Sequence, residues 1–129
     1  MSVGRGTPFP FQVIGYPDST LGSFTFTPVS IPTKSKYPRF ENQMCYGVDL
    51  RNQKPPSRVD LAYVIDFYQK FPVKDDYFIS YFNKLAGTDK LMEQIVSGTS
   101  AEEIYDSWQS GLDSYQVLRK KYLLYPDFE

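Results

Sequence analysis

The chain has no histidine, one cysteine and one tryptophan among its 129 residues. Without histidine, the Ser-His-Asp and Cys-His relays that activate a nucleophile are unavailable, and so are metal sites built on imidazole. A lone Cys45 excludes an intrachain disulfide and every Cys-x-x-Cys site. Charge of either sign is not in excess: 14 Lys and Arg stand against 15 Asp and Glu, a net charge of −1. The basic balance of a nucleic-acid binder is therefore missing, and nucleic acid is not an expected partner. No apolar run reaches the roughly 18 residues that a membrane-spanning helix needs. The opening residues also lack the basic-then-apolar order of an export signal.

What the chain does have is aromatic surface: 17% of its residues, with eleven Tyr and ten Phe. Such side chains supply area to a core or flat platforms to a cleft, and composition does not choose between the two. A chain of this length buries roughly two thirds of the surface it would expose unfolded, which favours one domain.

Residues 1–56 hold eight of the ten prolines and read as short strands joined by turns. Phe11 to Gly15 is a brief apolar run, and Phe24 and Phe26 alternate with Thr25 and Thr27 before Pro28. In MCYGVDL, Met44, Tyr46, Val48 and Leu50 fall on one face of a strand, and Cys45, Gly47, Asp49 and Arg51 on the other. PTKSKYPRFENQ, polar and twice marked by proline, reads as a long loop. After Pro55-Pro56 the period changes. The spacing of Leu61, Val64, Ile65 and Tyr68 predicts a helix from Ser57 to Phe71, stopped by Pro72. A short helix is expected over TDKLMEQIVSG, with Thr88 as N-cap, Leu91, Met92 and Ile95 inward and Gly98 as its left-handed stop. Ser100 and Glu103 form a capping box for a longer helix. Its apolar face runs Ile104, Trp108, Leu112, Tyr115, Leu118, Tyr122, with Trp108 expected in the core. The fold class is thus α+β: strands and loops over 1–56 against a mainly helical 57–129, in a single domain.

Four groups of residues could carry chemistry. In SVGRGTPF, two glycines let successive backbone N–H groups face one concavity, while Arg5 offers a five-donor fork suited to a carboxylate or phosphate. The same letters also describe a tight turn with positive φ at Gly4 and Gly6 and a solvated Arg5. They are not a Walker loop, since the Lys-Ser/Thr pair is absent. Paired acids would suit glycoside hydrolysis, and Asp18, Asp49, Asp75-Asp76 and Glu102-Glu103 are available. Asp75-Asp76 read as a solvated turn and Glu102-Glu103 as helix first-turn residues. Asp49 shares a strand face with Cys45, but no visible partner tunes it. Tyr37, Phe40 and Tyr46 could form a platform for a sugar or peptide. Cys45, inside an apolar strand with no neighbouring cation in view, reads as a small buried hydrophobe.

Four fragments taken in order carry a resemblance: SVGRGTPFPFQVIGYP, FTFTPVSIP, MCYGVDLR, and the stretch from LAGTDKLMEQ through YQVLRKKYLLY. Together, from Ser2 to Tyr125, they resemble the C-terminal part of the NamZ family, bacterial exo-β-N-acetylmuramidases that release N-acetylmuramic acid from non-reducing ends of peptidoglycan fragments. The resemblance implies a preceding Rossmann-like domain, a cleft between it and this α+β domain, and catalytic acids in that preceding half. The GRGT turn would then lie where one domain leads into the next, so the chain is expected to start at an internal junction. Cleft-lining contacts are expected at Arg5 and Thr7, with Ser2 behind them. Arg5 would be placed to meet the lactyl carboxylate of muramic acid. No cofactor and no metal enter this expectation, and the substrate implies the cell envelope or the outside of the cell. Non-catalytic glycan or peptide binding, or simple docking to a neighbouring domain, are the alternatives.

Overall fold

The computed structural model describes residues 1–126. Backbone packing divides the chain into two compact units, Met1–Tyr77 and Phe78 onward.

The first unit is built on a three-stranded antiparallel sheet of β1 (Val13–Tyr16), β2 (Phe24–Phe26) and β3 (Cys45–Asp49), with β3 in the centre. Val13 pairs with Asp49 and Tyr16 with Tyr46, while Phe24 pairs with Gly47 and Phe26 with Cys45. Side chains alternate across the pleat, and both faces are covered. One face gathers Val13, Phe26 and Cys45, with Phe9, Phe24 and Phe40 against them. The other presents Ile14, Tyr16 and Val48 to Leu21, Phe67 and Phe71. MCYGVDL is thus a strand with two buried faces, its deeper one holding Cys45. The strand itself begins after Met44, which is 54% exposed.

Helix α1 (Ala62–Lys70) follows Pro55-Pro56 and belongs to the sheet's unit. It starts later than the expected Ser57, because Asp60 supplies the carboxylate that accepts the Ala62 N–H at 2.8 Å. Leu61, Phe67 and Phe71 are the residues it buries, so the stripe is rotated from Val64, Ile65 and Tyr68 toward the two phenylalanines. Packing decides this: Phe71 meets Tyr16 edge-on at 4.6 Å and Tyr77 at 5.2 Å. Burying Phe67 alone contributes about 2–3 kcal/mol. Beyond Phe71, which adopts the extended backbone that Pro72 demands, the Lys74 ammonium donates to the carbonyls of Tyr68, Gln69 and Phe71 at 2.6, 2.6 and 3.0 Å. It satisfies acceptors that every helix C-terminus leaves open.

The second unit is helical: α2 (Phe82–Ala86), α3 (Lys90–Val96) and α4 (Ala101–Arg119). Helix α2 carries no sequence signal beyond its closing Gly87. In α3, Asp89 occupies the N-cap position without a side-chain bond, while Thr88 accepts the Lys90 N–H at 3.2 Å. Gly98 stops that helix at φ 81°, as expected. The capping box of α4 is complete: the Glu103 N–H reaches the Ser100 hydroxyl at 3.3 Å, and the Glu103 carboxylate accepts the Ser100 N–H at 2.9 Å. Ile95 and Ile104 are buried. Trp108 is not fully buried. It lies at a rim, stacked edge-on with Tyr105 at 5.5 Å. The architecture is α+β.

Candidate functional site

The GRGT segment is an ordered turn pinned to the sheet. Ser2 pairs with Gly15 through two backbone bonds of 2.7 and 3.0 Å, extending the edge of β1. Gly4 and Gly6 then take φ values of 78° and 84°, which favour glycine. Space enforces the same choice, since a Cβ on Gly4 would stand 2.6 Å from Val13 Cγ2 and one on Gly6 2.6 Å from the Val29 carbonyl. The Ser2 hydroxyl accepts from the Gly4 N–H at 3.3 Å. The Thr7 hydroxyl donates to the Gly4 carbonyl at 2.6 Å and accepts the Phe9 N–H at 3.2 Å. Both residues are buried, so their hydroxyls hold the turn's shape.

Arg5, between the glycines, is exposed and stands 5.2 Å over the Phe11 ring. Phe11 opens the run expected to be a strand, yet its φ is 64°, and β1 starts two residues later. A bulky residue in that region is an outlier that the surrounding structure must hold in place. Here the Phe11 N–H donates to the Val3 carbonyl at 2.7 Å, and the ring is left 64% exposed. These residues line a cleft of about 650 Å³ whose other wall is formed by Val29 and Ile31, which lead into the proline-marked loop, and by Lys34 and Ser35 within it. Thr7 lies in the lining and Ser2 does not. Two cations and no carboxylate are among the lining residues. Lys34 is the member that sequence reasoning passed over; its signal is a lysine in a Pro-Thr-Lys-Ser-Lys run with no acid beside it.

The other candidates have structural employment. Arg51 grips the Asp49 carboxylate with Nε at 2.9 Å and a terminal nitrogen at 2.7 Å. These side-chain bonds and the Arg51 N–H hold that carboxyl down at about 2. The same guanidinium lies 4.6 Å over the Phe9 ring. Asp75 and Asp76 sit in a single helical turn at Lys74–Asp76. Cys45 is fully buried, and burial pushes its thiol up to about 11, away from nucleophilic use. Tyr37, Phe40 and Tyr46 do not make an exposed platform: Tyr37 is 80% exposed, whereas Phe40 packs on the core and on Tyr16 at 5.0 Å. Among the described residues no three of His, Cys, Asp or Glu gather as metal ligands. No described helix is long and apolar enough to cross a membrane.

Fold and site together define an α+β module that presents a cationic, aromatic-floored cleft with no acid in its lining. The chain belongs to the family described as exo-beta-N-acetylmuramidase NamZ, C-terminal, whose model matches residues 1–125. It is 33% identical to the peptidoglycan beta-N-acetylmuramidase NamZ of Bacillus subtilis (strain 168) over 97% of its own length and 34% of that protein. It also superposes on the crystal structure of a DUF1343 family protein from Bacteroides fragilis NCTC 9343, with a TM-score of 0.91 at 40% identity. That match covers 98% of this chain and 36% of the other. The chain therefore spans about a third of the length of these relatives.

Proposed function

We propose that this chain is the C-terminal domain of a peptidoglycan-degrading exo-β-N-acetylmuramidase, where it forms one wall of the substrate cleft. The catalytic acids belong to a preceding Rossmann-like domain, and the enzyme works in the cell envelope or outside the cell. The observation that carries this reading is the cleft beside the GRGT turn. A muramic acid residue carries one carboxylate, on its lactyl ether, beside an otherwise neutral sugar. Arg5 and Lys34 complement the charge, and the Phe11 ring offers a flat apolar face to the sugar. Thr7, and Ser2 behind it, keep Arg5 presented through the bonds that close the turn.

The test is Arg5→Ala in a polypeptide that joins this chain to the preceding region its relatives carry, assayed on a muramoside. A charge-assisted hydrogen bond contributes roughly 1.5–3 kcal/mol, so kcat/KM should fall about ten- to a hundredfold, with partial recovery in Arg5→Lys. On a substrate whose lactyl carboxylate is capped as an ester, the variant should match the parent. Equal losses on both substrates, or no loss on the free acid, would overturn the assignment.

A further inference from the structure

Within the second unit, one face of α4 has no covering element among the described residues. Ile104, Trp108, Gly111, Tyr115, Leu118 and Tyr122 follow one another at steps of four, three, four, three and four, the spacing of a seam that packs along another helix. The seam is covered only at its start. Ile104 is 0% exposed, but Tyr115 is 60%, Leu118 49% and Tyr122, in the closing turn, 74% exposed. Gly111 sits mid-helix, where glycine is unfavourable, and a Cβ there would meet nothing within 4 Å. Nothing inside the unit asks for a glycine; a neighbour packing closely against the helix would. Cavities of about 600 and 570 Å³ lie along this same face, the first around Trp108 and Gly111, the second around Tyr115, Leu118 and Tyr122. Arg119 borders the second, giving an apolar, aromatic centre with a cationic rim, the usual anatomy of a specific interface.

We propose that this face is the docking surface for the preceding region of the longer polypeptide, and that a helix of that region lies along the seam with a side chain seated over Gly111. The occupant follows from length: the relatives carry about two thirds of their chain outside the part matched here, and a bare apolar seam is the surface on which such a body can rest. The proposal rests on the chain being part of such a polypeptide, but not on what that polypeptide cleaves.

Hydroxyl-radical footprinting read by mass spectrometry tests it, comparing the 129-residue chain with the same chain joined to the preceding region. Oxidation of Tyr115, Leu118 and Tyr122 should fall at least fivefold in the joined form, while the exposed Tyr37 changes less than twofold. As a second measurement, Leu118→Glu should leave the melting temperature of the chain alone within 1–2 °C of the parent, because the residue is already half exposed, yet lower that of the joined form by roughly 5 °C or more. Equal oxidation in both forms would overturn the proposal. So would protection that grows with the concentration of the chain alone, since the occupant would then be a second copy. Neither readout involves turnover, so an inactive enzyme with a protected face would sink only the muramidase reading, and an active one with a bare face only this one.

Discussion

Tyr77 donates its hydroxyl to the Val64 carbonyl at 2.9 Å, and burial, reinforced by the negative charge of Asp66, pushes its phenol up to about 12. The folded chain therefore holds that proton more tightly than the unfolded chain, whose tyrosine titrates near 10. The contribution is complete below pH 10 and is lost as pH rises from 10 through 12. Tyr77→Phe should cost about 1 kcal/mol at pH 8 and should flatten the fall in melting temperature between pH 10 and 12, as followed by circular dichroism. An unchanged slope in the variant would mean that another group governs the alkaline limb. At this scale the sequence was unevenly legible. Cys45 could be read as a buried hydrophobe because no cation stood near it in the strand. The Arg51 fork on Asp49 was not legible: Arg51 lies past the end of β3, in a turn where its own N–H donates to the Asp49 carboxylate at 3.0 Å and brings the guanidinium back onto it. Phe11 was not readable: nothing in a run such as FQVIG marks a phenylalanine held at φ 64°.

The helices differ in how much of each came from local chemistry. The start of α4 was readable because Ser100 and Glu103 satisfy orphan N–H groups reciprocally, a device that lies wholly in the sequence; its end was not, since the helix stops at Arg119, short of the Tyr122 expected on its apolar face. Helix α1 was readable as a helix but not in its phase. Apolar residues surround it on several sides, and Phe67 and Phe71 are selected by partners distant in the chain, Leu21 and the sheet's Ile14, Tyr16 and Val48. Helix α2 is too short for periodicity to register. Gly111 gives the element-scale prediction. With no atom within 4 Å of a would-be Cβ, alanine there meets no clash and gains helix propensity. Gly111→Ala should therefore stabilise the isolated chain by about 0.5–1 kcal/mol in urea unfolding. Destabilisation instead would mean that the residue's backbone, rather than the space beside it, is what the fold requires.

For the molecule as a whole, the decisive feature is what the cleft does not contain. Hydrolysis of a glycosidic bond by the usual route needs two carboxyl groups, about 5–5.5 Å apart for retention and about 6.5–9.5 Å for inversion, on either side of the scissile oxygen. The lining here offers Arg5 and Lys34 and no acid. Three acids elsewhere are held by local partners: Asp49 by Arg51, Asp66 by Lys70 at 2.7 Å, and Glu103 by the Ser100 cap. The cleft itself was only half readable from the sequence, since the glycines and Arg5 announce one wall while the opposing loop reaches it through tertiary folding. On the proposed division of labour the chain alone binds one side of the sugar and moves no proton. Incubated with a chromogenic muramoside, it should release no chromophore above the blank, whereas the polypeptide that includes the preceding region should turn the substrate over. Turnover by the isolated chain that survives repurification would require a carboxylate pair this cleft does not show, and would place the reaction somewhere other than the GRGT turn.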